Sequence, residues 1–231
     1  MSNCMNCQTC PQLGKRAFCN LNQKSNEFLQ THSVRKEFVR GTRLFSEGDR
    51  SDAVFLLCSG KVKLIATSKD GRTMTARIAT AGDLLGMSAA LTSTDYEVTA
   101  EAMEPCRVRV LPLPVLNIMM QQFPDASLAA ARALAIDYRT AFDGTRRVTF
   151  TGSAAGRLAG LILDWADEAR RNSQAFINMP LTHEELASMT ATSRETITRT
   201  LGRMKKDKII STRGVALTVL QPMALRQLSA C

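Results

Sequence analysis

Thr182-His183-Glu184-Glu185-Leu186 and, ten positions on, Thr192-Ser193-Arg194-Glu195-Thr196-Ile197-Thr198-Arg199 decide how the C-terminal part of this chain folds. Thr182 stands three residues before Glu185, and Thr192 three before Glu195. Each stretch therefore carries a capping-box signature, in which a hydroxyl and a carboxylate satisfy the exposed amides of a helix start. Two starts so close define two short helices. Leu186 and Met189 in the first, and Ile197, Leu201 and Met204 in the second, fall at helical spacing and pack across a turn at Thr190-Ala191. The opposite face of the second helix carries Arg194, Thr198 and Arg199, with Glu195 and Arg199 as i, i+4 neighbours.

That face has the chemistry of a base reader. Arginine gives two hydrogen bonds to guanine O6 and N7, glutamate accepts from cytosine N4, and threonine bonds a base or phosphate or meets a thymine methyl. The first turn of the second helix is where helix-turn-helix proteins place such residues, so Thr192, Ser193, Arg194, Glu195, Thr198 and Arg199 are candidate DNA contacts. Arg203, Lys205, Lys206 and Lys208 add phosphate-binding charge. Ile209–Thr212, a turn at Arg213-Gly214 and Val215–Val219 form a hairpin with a basic tip, a wing, with Arg213 as a further DNA contact. The bland alternative is a solvated helix with an ordinary Arg–Glu salt bridge; caps, turn, basic face and wing together outweigh it.

Ser193–Arg199, followed by Leu201-Gly202-Arg203 and Ile209-Ile210, resembles the winged helix of the cyclic AMP receptor protein and FNR (fumarate and nitrate reduction regulator) family. The resemblance extends upstream through Phe45-Ser46-Glu47-Gly48-Asp49, Ser59–Leu64 and Ala81–Gly86. It implies an α+β protein: an N-terminal β jelly-roll barrel of the cyclic-nucleotide-binding kind, a long dimerisation helix and a C-terminal winged helix-turn-helix. It also implies half-sites such as TGTGA or TTGAT, both containing TGA, and contact with RNA polymerase if the protein activates.

Composition agrees with such a chain. With 231 residues, 45% hydrophobic and 22% charged, it is globular and long enough for two cores. A formal charge of +9 favours a polyanionic partner. No apolar run spans a bilayer and the first twenty residues lack a signal peptide's apolar stretch, so a cytoplasmic location without membrane contact is expected. Seven cysteines without an export signal point to metal, redox chemistry or burial rather than a disulfide framework. The only histidines are His32 and His183, and there is no nucleophile elbow or phosphate loop, so no enzyme is expected. A packaging protein would not need the base-reading pair Arg194 and Glu195.

Four segments follow: a cysteine-rich segment at 1–25, a barrel at 26–116, a dimerisation helix at 117–148 and the DNA-binding domain at 149–231. In the barrel, short apolar runs such as Val54–Leu57 and Val108–Leu111 are punctuated by glycines 41, 48, 60, 71, 82 and 86. Beyond Pro124, Leu128, Ala135 and Phe142 are seven apart, as are Ala131, Tyr138 and Thr145, which makes an a/d seam. The seam packs either on its own barrel or on a second copy. The resemblance implies the copy, a homodimer, which would read a palindrome. Gly144 and Gly152 suit a hinge, and Met223–Cys231 is a tail without a readable role.

The input is read from two places. Cyclic AMP-binding relatives carry a glutamate after the glycine matching Gly86, and an Arg-Ser pair some ten residues on; here Met87 and Tyr96-Glu97 stand there. Glu97 would repel a phosphate by about 1 kcal/mol at ~4 Å in water, and more when buried. A different small ligand in the barrel stays open. The stronger candidate is Cys4-x2-Cys7-x2-Cys10-x8-Cys19, whose thiolates suit an iron–sulfur cluster or a tetrahedral zinc. Reversible thiol oxidation without metal and plain tail cysteines are the further alternatives. The segment resembles the cluster-binding segment of FNR, which implies a 4Fe-4S cluster sensing oxygen, nitric oxide or redox state. The barrel-end ligand of those proteins is matched by Arg109. Cys106, three positions earlier, faces the other side of its strand and is expected in the core, as is Cys58.

Overall fold

The computed structural model describes Cys10 and residues 17–171, 175–178 and 181–230. The chain divides into two compact units, Met1–Ala141 and Phe142–Cys231. Among the described residues no helix is long and apolar enough to cross a membrane.

The first unit holds eight strands: β1 (Val34–Phe38), β2 (Arg43–Phe45), β3 (Ala53–Ser59), β4 (Lys61–Thr67), β5 (Thr73–Thr80), β6 (Leu84–Leu85), β7 (Thr99–Ala102) and β8 (Cys106–Pro112). They form two antiparallel four-stranded sheets, ordered β1-β8-β3-β6 and β2-β7-β4-β5. The six glycines read as turns all have positive φ. Phe55, Leu57, Val108 and Val110 from one sheet and Phe45, Val62, Ala79 and Ala100 from the other enclose a common core.

Strand β3 is apolar on consecutive residues because both its faces are covered. Phe55 and Leu57 enter the sandwich, whereas Val54 and Leu56 belong to a second core shared with helices. Those helices are α1 (Gln23–His32), α2 (Met87–Thr92), α3 (Leu113–Gln122) and α4 (Pro124–Phe150). Helix α1 runs across the expected boundary between residues 25 and 26, with Ser25 and Asn26 buried. The expected dimerisation segment 117–148 is broken at Phe123, which is extended (φ −124°, ψ 99°). Pro124 explains the break, since it pushes the residue before it out of the helical region and has no N–H to continue the helix. Gly144 lies inside α4 rather than at a hinge.

The second unit contains α5 (Ala154–Arg171), β9 (Ile177–Asn178), α6 (His183–Met189), α7 (Arg194–Lys206), β10 (Ile210–Arg213), β11 (Ala216–Val219) and α8 (Pro222–Ser229). The sheet order is β10-β11-β9, so the wing gains a third strand. The expected tail is helix α8, which packs on α5 through the fully buried Leu225. The two helices approach closely at Gly156, where an added Cβ would lie 2.8 Å from the Leu228 carbonyl oxygen.

Candidate nucleic-acid interface

Helix α6 begins as expected. Thr182 Oγ1 accepts from the Glu185 amide at 3.1 Å, and Glu185 Oε2 accepts from the Thr182 amide at 2.7 Å. The second start differs by one residue. Ser193, not Thr192, caps α7, its hydroxyl accepting from the Thr196 amide at 3.2 Å. Ala191 takes a left-handed conformation (φ 48°), and the half-buried Thr192 closes the turn by donating its N–H to the Ala187 carbonyl at 3.0 Å. Helix register therefore starts only after it.

The inner faces of the pair are Leu186, Ala187 and Met189 against Ile197, Leu201 and Met204, all buried. Arg194, Glu195, Thr198 and Arg199 are consequently exposed together on the outer face of α7. Glu195 and Arg199 make no ion pair with each other, and Arg199 instead reaches Thr196 Oγ1 at 3.4 Å. The Glu195 carboxyl is held below its ordinary value by its own helix-start amide, then by Ser193, with Arg194 and Arg199 adding to the effect. It is an acceptor flanked by two arginine donors. Arg203 and Lys206 extend the basic surface through the last turn, where Arg203 Nε lies 3.8 Å from Asp207.

The wing turn is Gly214-Val215, one residue beyond the expected Arg213-Gly214, because Arg213 pairs with Ala216. Positive φ falls on Gly214 alone (59°), as a two-residue hairpin turn with glycine in its first position requires. Arg213 thus ends β10, exposed beside the tip.

Two supports of this face were not read from the sequence. Arg157 on α5 donates from Nε to the Thr190 carbonyl at 2.7 Å, from Nη2 to Ala191 at 3.3 Å and from Nη1 to Thr151 at 3.1 Å. One guanidinium thus holds the turn between α6 and α7. His183, on α6, places Nδ1 2.8 Å from Thr198 Oγ1.

In the first unit, the expected seam residues Leu128, Ala131, Ala135 and Tyr138 are exposed, as are Phe142 and Thr145 on the second-unit part of α4. Ala126, Ala129 and Ala130 on the neighbouring face are buried in a core that includes Phe18 and Leu21. Asp125 clamps the same junction: Oδ2 accepts from the Asn22 amide at 2.9 Å and Oδ1 from the Ser25 hydroxyl at 2.6 Å. Burial pulls the Asp125 carboxyl upward, but the hydrogen bonds from Ser25, Asn22 and its own helix start outweigh burial and leave it below its ordinary value.

Cys10 and Cys19 are half-buried, and Cys4 and Cys7 lie outside the described residues. Among the described residues no three His, Cys, Asp or Glu side chains converge as metal ligands. Cys106 is inside the sandwich core, where burial pushes its thiol up, and Arg109 is buried on the opposite face of β8 against Ser33 Oγ at 3.1 Å. Cys58 is half-buried rather than core.

Within the barrel, Glu97 is exposed, and Tyr96 is buried in the sandwich core against Gly86, while Met87 belongs to the core shared with the helices. The Tyr96 ring stacks on Phe45 at 4.0 Å and its hydroxyl donates to the Ala53 carbonyl at 2.6 Å. Any Cβ at residue 86 would come within 2.8 Å of that ring. At the position of the relatives' Arg-Ser pair this chain thus turns an aromatic ring into the core and its carboxylate, Glu97, outward.

Residues 35–123 match the cyclic nucleotide-binding domain and residues 156–228 the Crp-like helix-turn-helix domain. The chain is 26% identical over 187 residues to the anaerobic regulatory protein of Bacillus subtilis strain 168, covering 80% of this chain and 79% of that protein. It is 29% identical over 196 residues to the transcriptional regulator LdrP of Thermus thermophilus, covering 83% and 95%. FixK2 from Bradyrhizobium japonicum shares the fold with a TM-score of 0.76 at 18% identity, covering 86% of this chain and 98% of that one. With both domain types present in this order, the chain belongs to the Crp/Fnr family of DNA-binding transcriptional regulators.

Proposed function

We propose that this regulator acts as a homodimer, reads a palindrome of TGA-containing half-sites through α7, and takes its input from Cys4, Cys7, Cys10 and Cys19. The observation that carries this reading is the two-sided character of α4. One face is docked to the segment on either side of Cys19, through Phe18, Leu21 and the Asp125 clamp. The neighbouring face carries the exposed stripe from Leu128 (52% exposed) to Tyr138 (70%), which continues at Phe142 (50%). A second copy of α4 is the occupant that the heptad spacing fits. A change in how the cysteine segment is held therefore acts on the helix that carries the seam, and regulation requires such a difference in free energy between two arrangements.

An uncharged, core-packed Tyr96 at the expected phosphate-binding position supports an input outside the barrel, and the donor set supports its chemistry. Four soft thiols fit an iron–sulfur cluster, of the 4Fe-4S type, or zinc; Cys106, a neutral buried thiol on the barrel side of its strand, does not join them. When bound, a cluster supplies an oxygen-, nitric-oxide- and redox-sensitive centre. Phe18 and Leu21 anchor the segment, and Asp125, Asn22 and Ser25 fix where it leaves the core. The test is anaerobic purification with metal and sulfide analysis and a visible spectrum. About four iron and four sulfide per chain are expected. Colourless protein with stoichiometric zinc would overturn the cluster, and metal-free protein whose dimer and DNA affinity ignore thiol oxidation would overturn the cysteine input.

A further inference from the structure

Thr198 lies on the exposed face of α7, one turn after Arg194, where a threonine could use either its hydroxyl or its methyl on a base. Its hydroxyl is already engaged inside the domain. Oγ1 lies 3.0 Å from the Arg194 carbonyl oxygen and 2.8 Å from His183 Nδ1. A hydroxyl has one hydrogen. If Nδ1 were bare, two acceptors would compete for that hydrogen and one short contact would set lone pair against lone pair. The arrangement that satisfies both contacts puts the proton on Nδ1: His183 donates to Thr198, and Thr198 donates to Arg194. The hydroxyl hydrogen is spent in either case. With Oγ1 fixed to the preceding turn, Cγ2 occupies another staggered position about Cα–Cβ.

We infer that His183 is a positioning residue for base recognition: it locks Thr198 so that α7 reads a thymine through the C5-methyl group rather than through a hydrogen bond. The inference rests on the reading that α7 faces the bases. It gives the protein a specificity element that the arginine and glutamate pair lacks, since those recognise polar edges alone. His183 is half-buried at the first position of α6, so this element spans both helices of the motif.

The test uses the full-length protein. A bound duplex is first selected from a random library, and each thymine of its half-site is then replaced by deoxyuridine, which removes only the methyl. Affinities are read by fluorescence anisotropy. One replacement is expected to weaken wild-type binding about fourfold, the worth of one buried methyl-sized group. Thr198→Val, which keeps a methyl and loses the hydroxyl, should retain that discrimination. Thr198→Ser, which keeps the hydroxyl and loses the methyl, should lose it. His183→Ala should reduce it, and His183→Gln, which still carries an N–H donor, should restore part of it. Discrimination kept by Thr198→Ser and lost by Thr198→Val would overturn the methyl reading. Undiminished discrimination in His183→Ala would overturn the positioning role. Arg194→Ala separates the levels of failure. If it relaxes a guanine while no thymine responds in wild type, the inference fails and α7 remains a reader; if neither base responds, the reading of α7 fails with it.

Discussion

Replacing Arg157 by alanine removes the side chain that ties α5 to the turn between α6 and α7. Four carbonyls, those of Thr190, Ala191, Thr151 and Gly152, lose a charged donor, and their surroundings decide the size of the effect. Thr190 is fully buried, so its carbonyl loses the 2.7 Å bond without water to replace it, a loss of about 1–3 kcal/mol. Ala191 and Gly152 are exposed and their bonds, at 3.3 and 3.4 Å, are replaced by solvent at little net loss, while the half-buried Thr151 falls between. The sum is roughly 2–3 kcal/mol, a large share of the ~5–15 kcal/mol that separates folded from unfolded domains. Trp165, the only tryptophan, lies on α5, so urea unfolding followed by its fluorescence reports on the second unit. Arg157→Lys should lose about half as much, since an ammonium cannot bridge all four carbonyls. A loss under about 0.5 kcal/mol in Arg157→Ala at unchanged denaturant slope would refute the reasoning, because the bonds would then be contributing nothing net.

Further outcomes follow from the same geometry. Gly60→Ala combines a φ of +93° with a Cβ 2.5 Å from Cys106 Sγ and 2.8 Å from the Pro105 carbonyl, and should destabilise the first unit by about 2–4 kcal/mol in thermal unfolding. Asp125→Asn should cost about 1–2 kcal/mol at neutral pH. Because the folded carboxyl lies below its ordinary value, that stability is present above the unfolded value near ~3.9 and fades as pH falls through the lower folded one. The gap between wild-type and variant melting temperatures should therefore hold from neutral pH down to about 4 and narrow progressively below it. Lys206→Ala should weaken binding to all duplexes alike and flatten the slope of log affinity against log salt by about 0.9, read in a salt titration.

Much of the second unit was legible because its signals are local. Capping residues, the apolar spacing of Leu186, Ile197 and Leu201, and the basic run to Lys208 depend on neighbours within a turn or two. The misplacements have equally local causes. Thr192 and Ser193 can both cap, and only the left-handed Ala191 selects the second; Gly214 can occupy either turn position, and pairing of Arg213 with Ala216 decides. Helix α8 was missed because Leu225 and Leu228 show their partner only once α5 is present. Arg157 was missed because its bonds to Thr190 and Ala191 span more than thirty residues and use backbone atoms, which leave no mark in sequence. In the barrel, glycine spacing marked the turns, but that Tyr96 rather than Glu97 faces inward is set by the loop before β7, where Tyr96 bonds Asp49 and Gly48 through its backbone and Ala53 through its hydroxyl, contacts more than forty residues away that leave no local mark.

Sequence reading by Arg194, Glu195, Thr198 and Arg199 from a dimer is the central claim. Titration of the purified full-length protein against a palindromic duplex of TGA-containing half-sites and against a scrambled duplex of equal length and charge, at one salt concentration, tests it directly. At least about a thousandfold tighter binding to the palindrome is predicted, with two chains per duplex. Equal affinity for the two duplexes would contradict it.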